Sequence, residues 1–310
     1  MKHIIYTLTT ALLLFSCEKK VVFDYEKPKE ALVVNAQIHP DSTFKIFLSK
    51  TISPTDTINF ESKENIQIEV YKNNNFLGFA DEYTQPEEEY ELGFYSNDEF
   101  EFTENDSIKI ETGNPNYNAV SAETRIPERP TISRISANNI ILDENTMMWG
   151  YSLDCNISLS IEDNPLEENY YAIDFFYNAN FTFSDFFTGN FTDTPYESKI
   201  MFEINDSDAI PSYQRNTGYL ISDELFNGES KEINVFIDTG IDIHNKDFEE
   251  FYIVVKSLSK EYFLYQKTLS EYYLNSNNPF TNQQEVYNNI NNGYGIFCGY
   301  NSTIDTVRIN

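Results

Sequence analysis

From Ala31 onward the chain alternates apolar and polar positions in short runs separated by turn residues. Ala31–Ile38 is an apolar run centred on Leu32, Val33 and Val34. Phe44, Ile46 and Leu48 alternate with Lys45, Phe47 and Ser49, and Ile66, Ile68 and Val70 alternate with Gln67, Glu69 and Tyr71. Asn73-Asn74-Asn75 then turns the chain into Phe76–Ala80, a hairpin signal. Tyr90, Leu92 and Phe94 follow the acidic turn Glu87-Glu88-Glu89, and Ile108 and Ile110 alternate with Ser107, Lys109 and Glu111. Asn114-Pro115-Asn116 leads into a last run, Asn118–Thr124. A period of two places one strand face in a core and the other in water. About seven short strands with turns between them predict an N-terminal immunoglobulin-like β-sandwich over 31–125.

Ile126-Pro127-Glu128-Arg129-Pro130 carries two prolines, which stiffen the chain and end strand pairing, so 126–130 reads as an interdomain linker. Strand-sized runs resume at Thr131: Ile132–Leu142, Leu153–Ile161, Tyr170–Tyr177, Lys199–Ile204, Glu232–Ile237 and Glu250–Ser257. They predict a second β-rich, sandwich-like domain over 131–310. Phe181–Pro195, rich in Phe, Thr, Asp and Gly, reads as a long loop. Leu258, Tyr262, Tyr265, Leu269 and Tyr272 recur at spacings of four and three, which predicts one helix near 258–274. Ser257 or Ser259 caps its start, Glu261 favours its first turn, and the Tyr/Leu stripe packs on the second sheet. After a loop from Asn275–Pro279, Tyr294–Tyr300 and Thr303–Ile309 close the fold as two strands.

The chain before Ala31 follows a different pattern. Ile4 to Phe15 is uncharged, with the length of a signal-peptide core and too short to span a bilayer. It ends in Leu14-Phe15-Ser16-Cys17 and then Glu18-Lys19-Lys20, which resembles a bacterial lipobox. The expectation is a lipoprotein signal peptide at 1–16, cleavage before Cys17, acylation of Cys17 and a lipidated stalk over 17–30. More than one acyl chain gives stable anchoring in a membrane. Glu18-Lys19-Lys20 does not indicate whether the periplasmic or the cell-surface face is occupied.

Charge and chemistry narrow the function further. Fifty Asp and Glu against 21 Lys and Arg give a net charge of −29, with no basic cluster, which argues against nucleic acid as a partner. Cys155 and Cys298 are the cysteines left beside Cys17, either as a disulfide or as two buried thiols. His39 and His244 are the histidines beyond the signal segment. No His-Glu-x-x-His, Cys-x-x-Cys or Gly-x-Ser-x-Gly occurs, which argues against zinc and against a local catalytic motif. Two acidic groups, Asp206 with Asp208 and Asp238 with Asp242 and Asp247, have the hard oxygen donors that suit Ca²⁺, but neither sits in an EF-hand loop. Phe181, Phe183, Phe186, Phe187 and Phe191 either pack on the core or form a partner interface.

A set of ordered segments carries a family resemblance. Asn278-Pro279-Phe280, Val286-Tyr287-Asn288-Asn289-Ile290 and Asn292-Gly293-Tyr294-Gly295-Ile296-Phe297 resemble the C-terminal signature of a Bacteroidota envelope lipoprotein family known as domain of unknown function 4249. Asp163-Asn164-Pro165 leading to Asn169-Tyr170-Tyr171, and Ser222-Asp223-Glu224-Leu225-Phe226-Asn227-Gly228, resemble its middle segments. The resemblance implies an outer-membrane-associated lipoprotein, often found with TonB-dependent transporters and their carboxypeptidase-regulatory-like domains. It implies no catalytic residue. Physically, the glycines and asparagines of the C-terminal signature suit turns and backbone bonding in an ordered loop.

These observations predict a non-enzymatic accessory or ligand-binding partner of a TonB-dependent transporter. The alternatives are an envelope hydrolase using carboxylates on glycan or peptide, and a structural or adhesive spacer.

Overall fold

The computed structural model describes residues 31–52, 66–84, 94–114, 117–145, 150–184, 191–212, 218–241, 249–275 and 284–309. Alternation is realised directly in β1 (Leu32–Ile38), where Leu32, Val34, Ala36 and Ile38 are buried and Gln37 is exposed. The first half of the chain continues with β2 (Phe44–Lys50), β3 (Gln67–Lys72), β4 (Asn75–Ala80), β5 (Glu82–Thr84), β6 (Phe94–Asn97), β7 (Ser107–Asn114) and β8 (Tyr117–Arg125). The β3–β4 turn places Asn73 and Asn74 at φ of 51° and 65°, the left-handed pair that a tight hairpin requires. Then come β9 (Thr131–Asn145), β10 (Gly150–Glu162), β11 (Tyr170–Ser184), β12 (Phe191–Lys199), β13 (Glu203–Ile204), β14 (Ile210–Pro211), β15 (Gly218–Ser222), β16 (Ser230–Ile241) and β17 (Glu250–Leu258). One α-helix among the described residues, α1 (Lys260–Asn275), precedes the last strand, β18 (Tyr294–Arg308).

The protein is mainly β, and its described strands form three sheets. The largest runs β14-β15-β11-β17-β18-β1-β2-β6-β5, with β12 paired to β11. Two four-stranded sheets, β4-β3-β7-β8 and β13-β16-β10-β9, pack against opposite ends of it. The first core joins Leu32, Val34, Phe44 and Ile46 to Ile68, Val70, Ile108 and Ile110. The second joins Leu153, Ile157, Ile233 and Val235 to Ile173, Phe175, Phe251 and Ile253. The result is two sandwich-like layered units. A third, smaller core lies on the other face of the large sheet, where Tyr262 and Phe263 of α1 cover Leu220, Leu258, Ile296 and Cys298.

β18 joins the two units. Its first half pairs in parallel with β1, from Val33↔Tyr294 to Ile38↔Gly299, and its second half pairs antiparallel with β17, from Leu258↔Tyr300 to Glu250↔Arg308. The sequence pattern divides this stretch into 294–300 and 303–309, yet one strand spans both. The polar residues that interrupt the apolar pattern sit where the strand passes from one unit to the other. Asn301 is fully buried and donates to Glu104 Oε1 at 3.1 Å and Pro127 O at 3.3 Å, and Thr303 Oγ1 donates to Pro130 O at 2.7 Å. The 126–130 segment, which links β8 to β9, is therefore bound along β18. Gly299 lies at the crossing, where a Cβ would sit 2.6 Å from Arg125 O. Gly295 has φ of +112°, and a Cβ there would collide with Val34 O.

Two further expectations change. Phe181–Pro195 is not one long loop: β11 runs on to Ser184 and β12 starts at Phe191, paired from Phe176↔Lys199 to Ser184↔Phe191. The Thr and Phe content that resembled a loop also has high strand propensity. β15 has no counterpart in the sequence pattern, because Gly218, Tyr219, Leu220 and Ile221 are all buried and so show no alternation.

Candidate functional site

The site forms on the α1 side of the large sheet. Alternation along β11 sends Ile173 and Phe175 into the second core and leaves Ala172 and Asp174 for the opposite face. In the register of β11 with β17, Ala172 lies opposite Lys256. Lys256 Nζ reaches Asp174 Oδ2 at 2.8 Å. Lys199, at the end of β12, approaches Asp174 Oδ1 at 3.5 Å and lies 5.5 Å from the centre of the Phe176 ring. Asp174 is 7% exposed, so both oxygens of a nearly buried carboxylate face ammonium groups.

These three residues line an open cavity of about 170 Å³. Ala172, Leu220 and Leu258 form its apolar wall, and Ser212 and Gln266 add neutral polar groups. Tyr262 of α1 closes one side, with its hydroxyl donating to Gln37 Oε1 at 3.0 Å. Burial pushes the Tyr262 phenol far above its ordinary value, so it stays protonated. The cavity offers two cations and one anion against an apolar wall, in a chain whose net charge is −29.

No short motif pointed to Asp174, Lys199, Lys256 or Gln266. One signal was present: Asp174 and Lys256 are single charges within the apolar runs Tyr170–Tyr177 and Phe251–Leu258. A charge inside a strand covered on both faces needs a partner.

The residues singled out in the sequence fall elsewhere. His39 Nδ1 accepts the backbone N–H of Asp41 at 3.1 Å, so the ring proton is on Nε2 and is donated to Ser302 Oγ at 3.1 Å. That polarity is the reverse of a base taking a proton from serine. The Asp41 carboxylate binds Arg129 at 2.8 Å instead of the imidazole. His244 lies outside the described residues.

Asp206 and Asp208 both bind Lys231, at 2.7 and 3.3 Å, which supplies the positive charge a cation would bring. Asp238 pairs across strands with Asp154. Partial desolvation, together with Asp238 and Asp143, raises the Asp154 carboxyl pKa. Asp242 and Asp247 lie outside the described residues. Among the described residues no group of three or more His, Cys, Asp or Glu side chains is placed to hold a metal ion.

Cys155 and Cys298 are free thiols in different cores. Burial pushes the Cys155 thiol up to about 11 and raises that of Cys298 as well. Of the five phenylalanines, Phe181 and Phe183 are in β11 and Phe191 begins β12, while Phe186 and Phe187 lie outside the described residues. Cys17 also lies outside them.

Of the ordered segments of the sequence, Asn278-Pro279-Phe280 lies outside the described residues, and the others come together. Asp163 Oδ1 accepts from Tyr171 Oη and Asp163 Oδ2 from the Gly228 N–H, both at 2.7 Å. Asp223 Oδ2 accepts from the Asn169 N–H at 2.7 Å, and Asn169 O accepts from the Asp223 N–H at 3.1 Å. These bonds clasp the 163–171 turn to the 222–228 turn. In the C-terminal signature, Asn289 exchanges two bonds with Phe297: Nδ2 donates to Phe297 O at 2.7 Å and Oδ1 accepts from the Phe297 N–H at 3.0 Å. Asn291 and Asn292 bond Ser121 and Ala119 of β8. The Asn-rich run thus dresses the side of β18 that has no strand beside it before Tyr300.

Among the described residues no helix is long and apolar enough to cross a membrane. In comparison with known proteins, residues 18–305 match the model of a family described as a domain of unknown function (DUF4249). No curated protein matches the chain.

Proposed function

The chain belongs to the DUF4249 family, and on that footing we propose that it is a non-enzymatic lipoprotein that captures a ligand for a TonB-dependent transporter at the outer membrane. The observation that carries the proposal is the uncharged run ending at Leu14-Phe15-Ser16-Cys17, directly before the matched region. An acylated Cys17 supplies the anchor, and the body it holds has a cavity with charge and an apolar wall. Phe181, Phe183, Phe186, Phe187 and Phe191 are assigned to the partner contact.

Crosslinking in intact cells tests the partnership. An outer-membrane transporter is expected to co-purify above background, and its absence counts against the proposal. Replacing the five phenylalanines with Ser should reduce both crosslinking and uptake. If the protein were only a spacer, uptake would not change. Metabolic acyl labelling should mark the wild type and fail on Cys17→Ala.

A further inference from the structure

We propose that the cavity bounded by Asp174, Lys199, Lys256 and Tyr262 binds a small organic carboxylate, a monoanion with a short apolar group and no amine. The proposal deepens the ligand-capture reading and rests on it. Charge sets the valence of the ligand. Two ammonium groups and one carboxylate leave one positive charge, which a monoanion neutralises and a dianionic phosphate overshoots. An ammonium has three N–H donors, and Asp174 engages one from Lys256 at 2.8 Å.

The ligand's other end is set by the walls. Leu220 and Leu258 are already 2% and 4% exposed, so the apolar surface left to cover is that of part-buried Ala172 and the rims of the two leucines; a bare inorganic anion gains nothing from it, whereas a short alkyl or aryl group covers it. At about 170 Å³ the cavity is smaller than the roughly 300–1,000 Å³ of sites for drug-sized ligands, so a compact molecule fits. Both Asp174 oxygens already face lysines, so a ligand ammonium would meet the remaining positive charge instead of an available acceptor.

Isothermal titration calorimetry of the full chain in detergent, with the detergent blank subtracted, tests this using butyrate, benzoate, inorganic phosphate and butylamine. Binding is expected for the two carboxylates and absent for phosphate and butylamine up to about 10 mM. Lys256→Met should weaken carboxylate binding about tenfold or more. Lys199→Met should do the same, and since Lys256 still pairs with Asp174 at 2.8 Å this variant is expected to fold, which its far-UV circular dichroism checks. The proposal is overturned if neither carboxylate binds, if phosphate binds as tightly, or if both folded Met variants bind like the wild type. Failure of the cellular crosslinking leaves this measurement standing, because it uses purified protein. Failure here with a transporter recovered in cells removes the carboxylate and keeps the partnership.

Discussion

Asn289 acts as a piece of strand. Its amide gives Phe297 both halves of a ladder bond, and Phe297 is fully buried. Asn289→Ala leaves a buried N–H and C=O without partners, each costing about 1–3 kcal/mol. The expected loss is about 2–6 kcal/mol, read as a lower urea midpoint with an unchanged slope. His39 makes a pH-dependent contribution. Burial lowers its pKa below the ordinary 6.5, Arg129 and Lys256 act in the same direction, and Asp41 opposes them. The unfolded chain therefore binds the proton more readily than the folded one. The resulting stability is fully present above pH 6.5 and is lost as pH falls through the depressed folded value. In urea melts from pH 8 to about pH 5, His39→Asn should lose less stability than the wild type. At this scale the sequence showed the residue types, asparagines suited to backbone bonding, but not their partners. Asn289 lies eight positions from Phe297, whereas Asn291 and Asn292 bond residues more than 160 positions earlier.

Elements were easier to place than their pairings, because alternation reports burial and says nothing of the neighbouring strand. β1 to β3 and β17 follow the apolar pattern to within two residues at each end. The parallel β1–β18 pair joins opposite ends of the chain and leaves no local trace. The cavity had the same problem: Asp174, Lys199 and Lys256 come from three strands and meet only through register. Helix α1 was visible from its spacing, but its last turn is left uncovered, although Ser270 before it is buried. Tyr262 and Phe263 are buried, whereas Tyr272 is 38% exposed. Ser259 starts the helix: its Oγ accepts the Tyr262 N–H at 3.3 Å and its carbonyl accepts the Phe263 N–H at 3.0 Å. Ser259→Ala should cost about 1 kcal/mol, within the usual 0.5–2 kcal/mol of a lost N-cap. The loss stays at that level because the Gly299 N–H, 3.4 Å from Ser259 Oγ, retains Thr124 Oγ1 at 3.1 Å. Thermal melts of the two proteins check the value. Since α1 supplies Tyr262 and Gln266 to the cavity, a weakened helix should also reduce carboxylate affinity.

At the scale of the molecule, β18 determines how the two layered units unfold. A proline-bearing linker would by itself allow each unit to melt separately. Here Phe297 of β18 fills the first core, Val307 the second, and Ile296 and Cys298 lie under α1. Removing β18 from either unit strips β1 or β17 of a paired neighbour. Unfolding one unit therefore exposes an edge and opens the core of the other. The full chain is expected to lose far-UV β signal and near-UV tyrosine signal in one coincident urea transition. Gly299→Val tests the coupling where the strand crosses, since its Cβ would press on the Arg125 carbonyl 2.6 Å away. The substitution should cost about 1–3 kcal/mol, as overpacking does, and should move that single transition as a whole. Hydrogen exchange adds spatial resolution: amides of β1 and β17, on opposite sides of β18, should lose protection together. Two separated transitions, with Gly299→Val shifting only one of them, would show that the units fold independently despite sharing a strand.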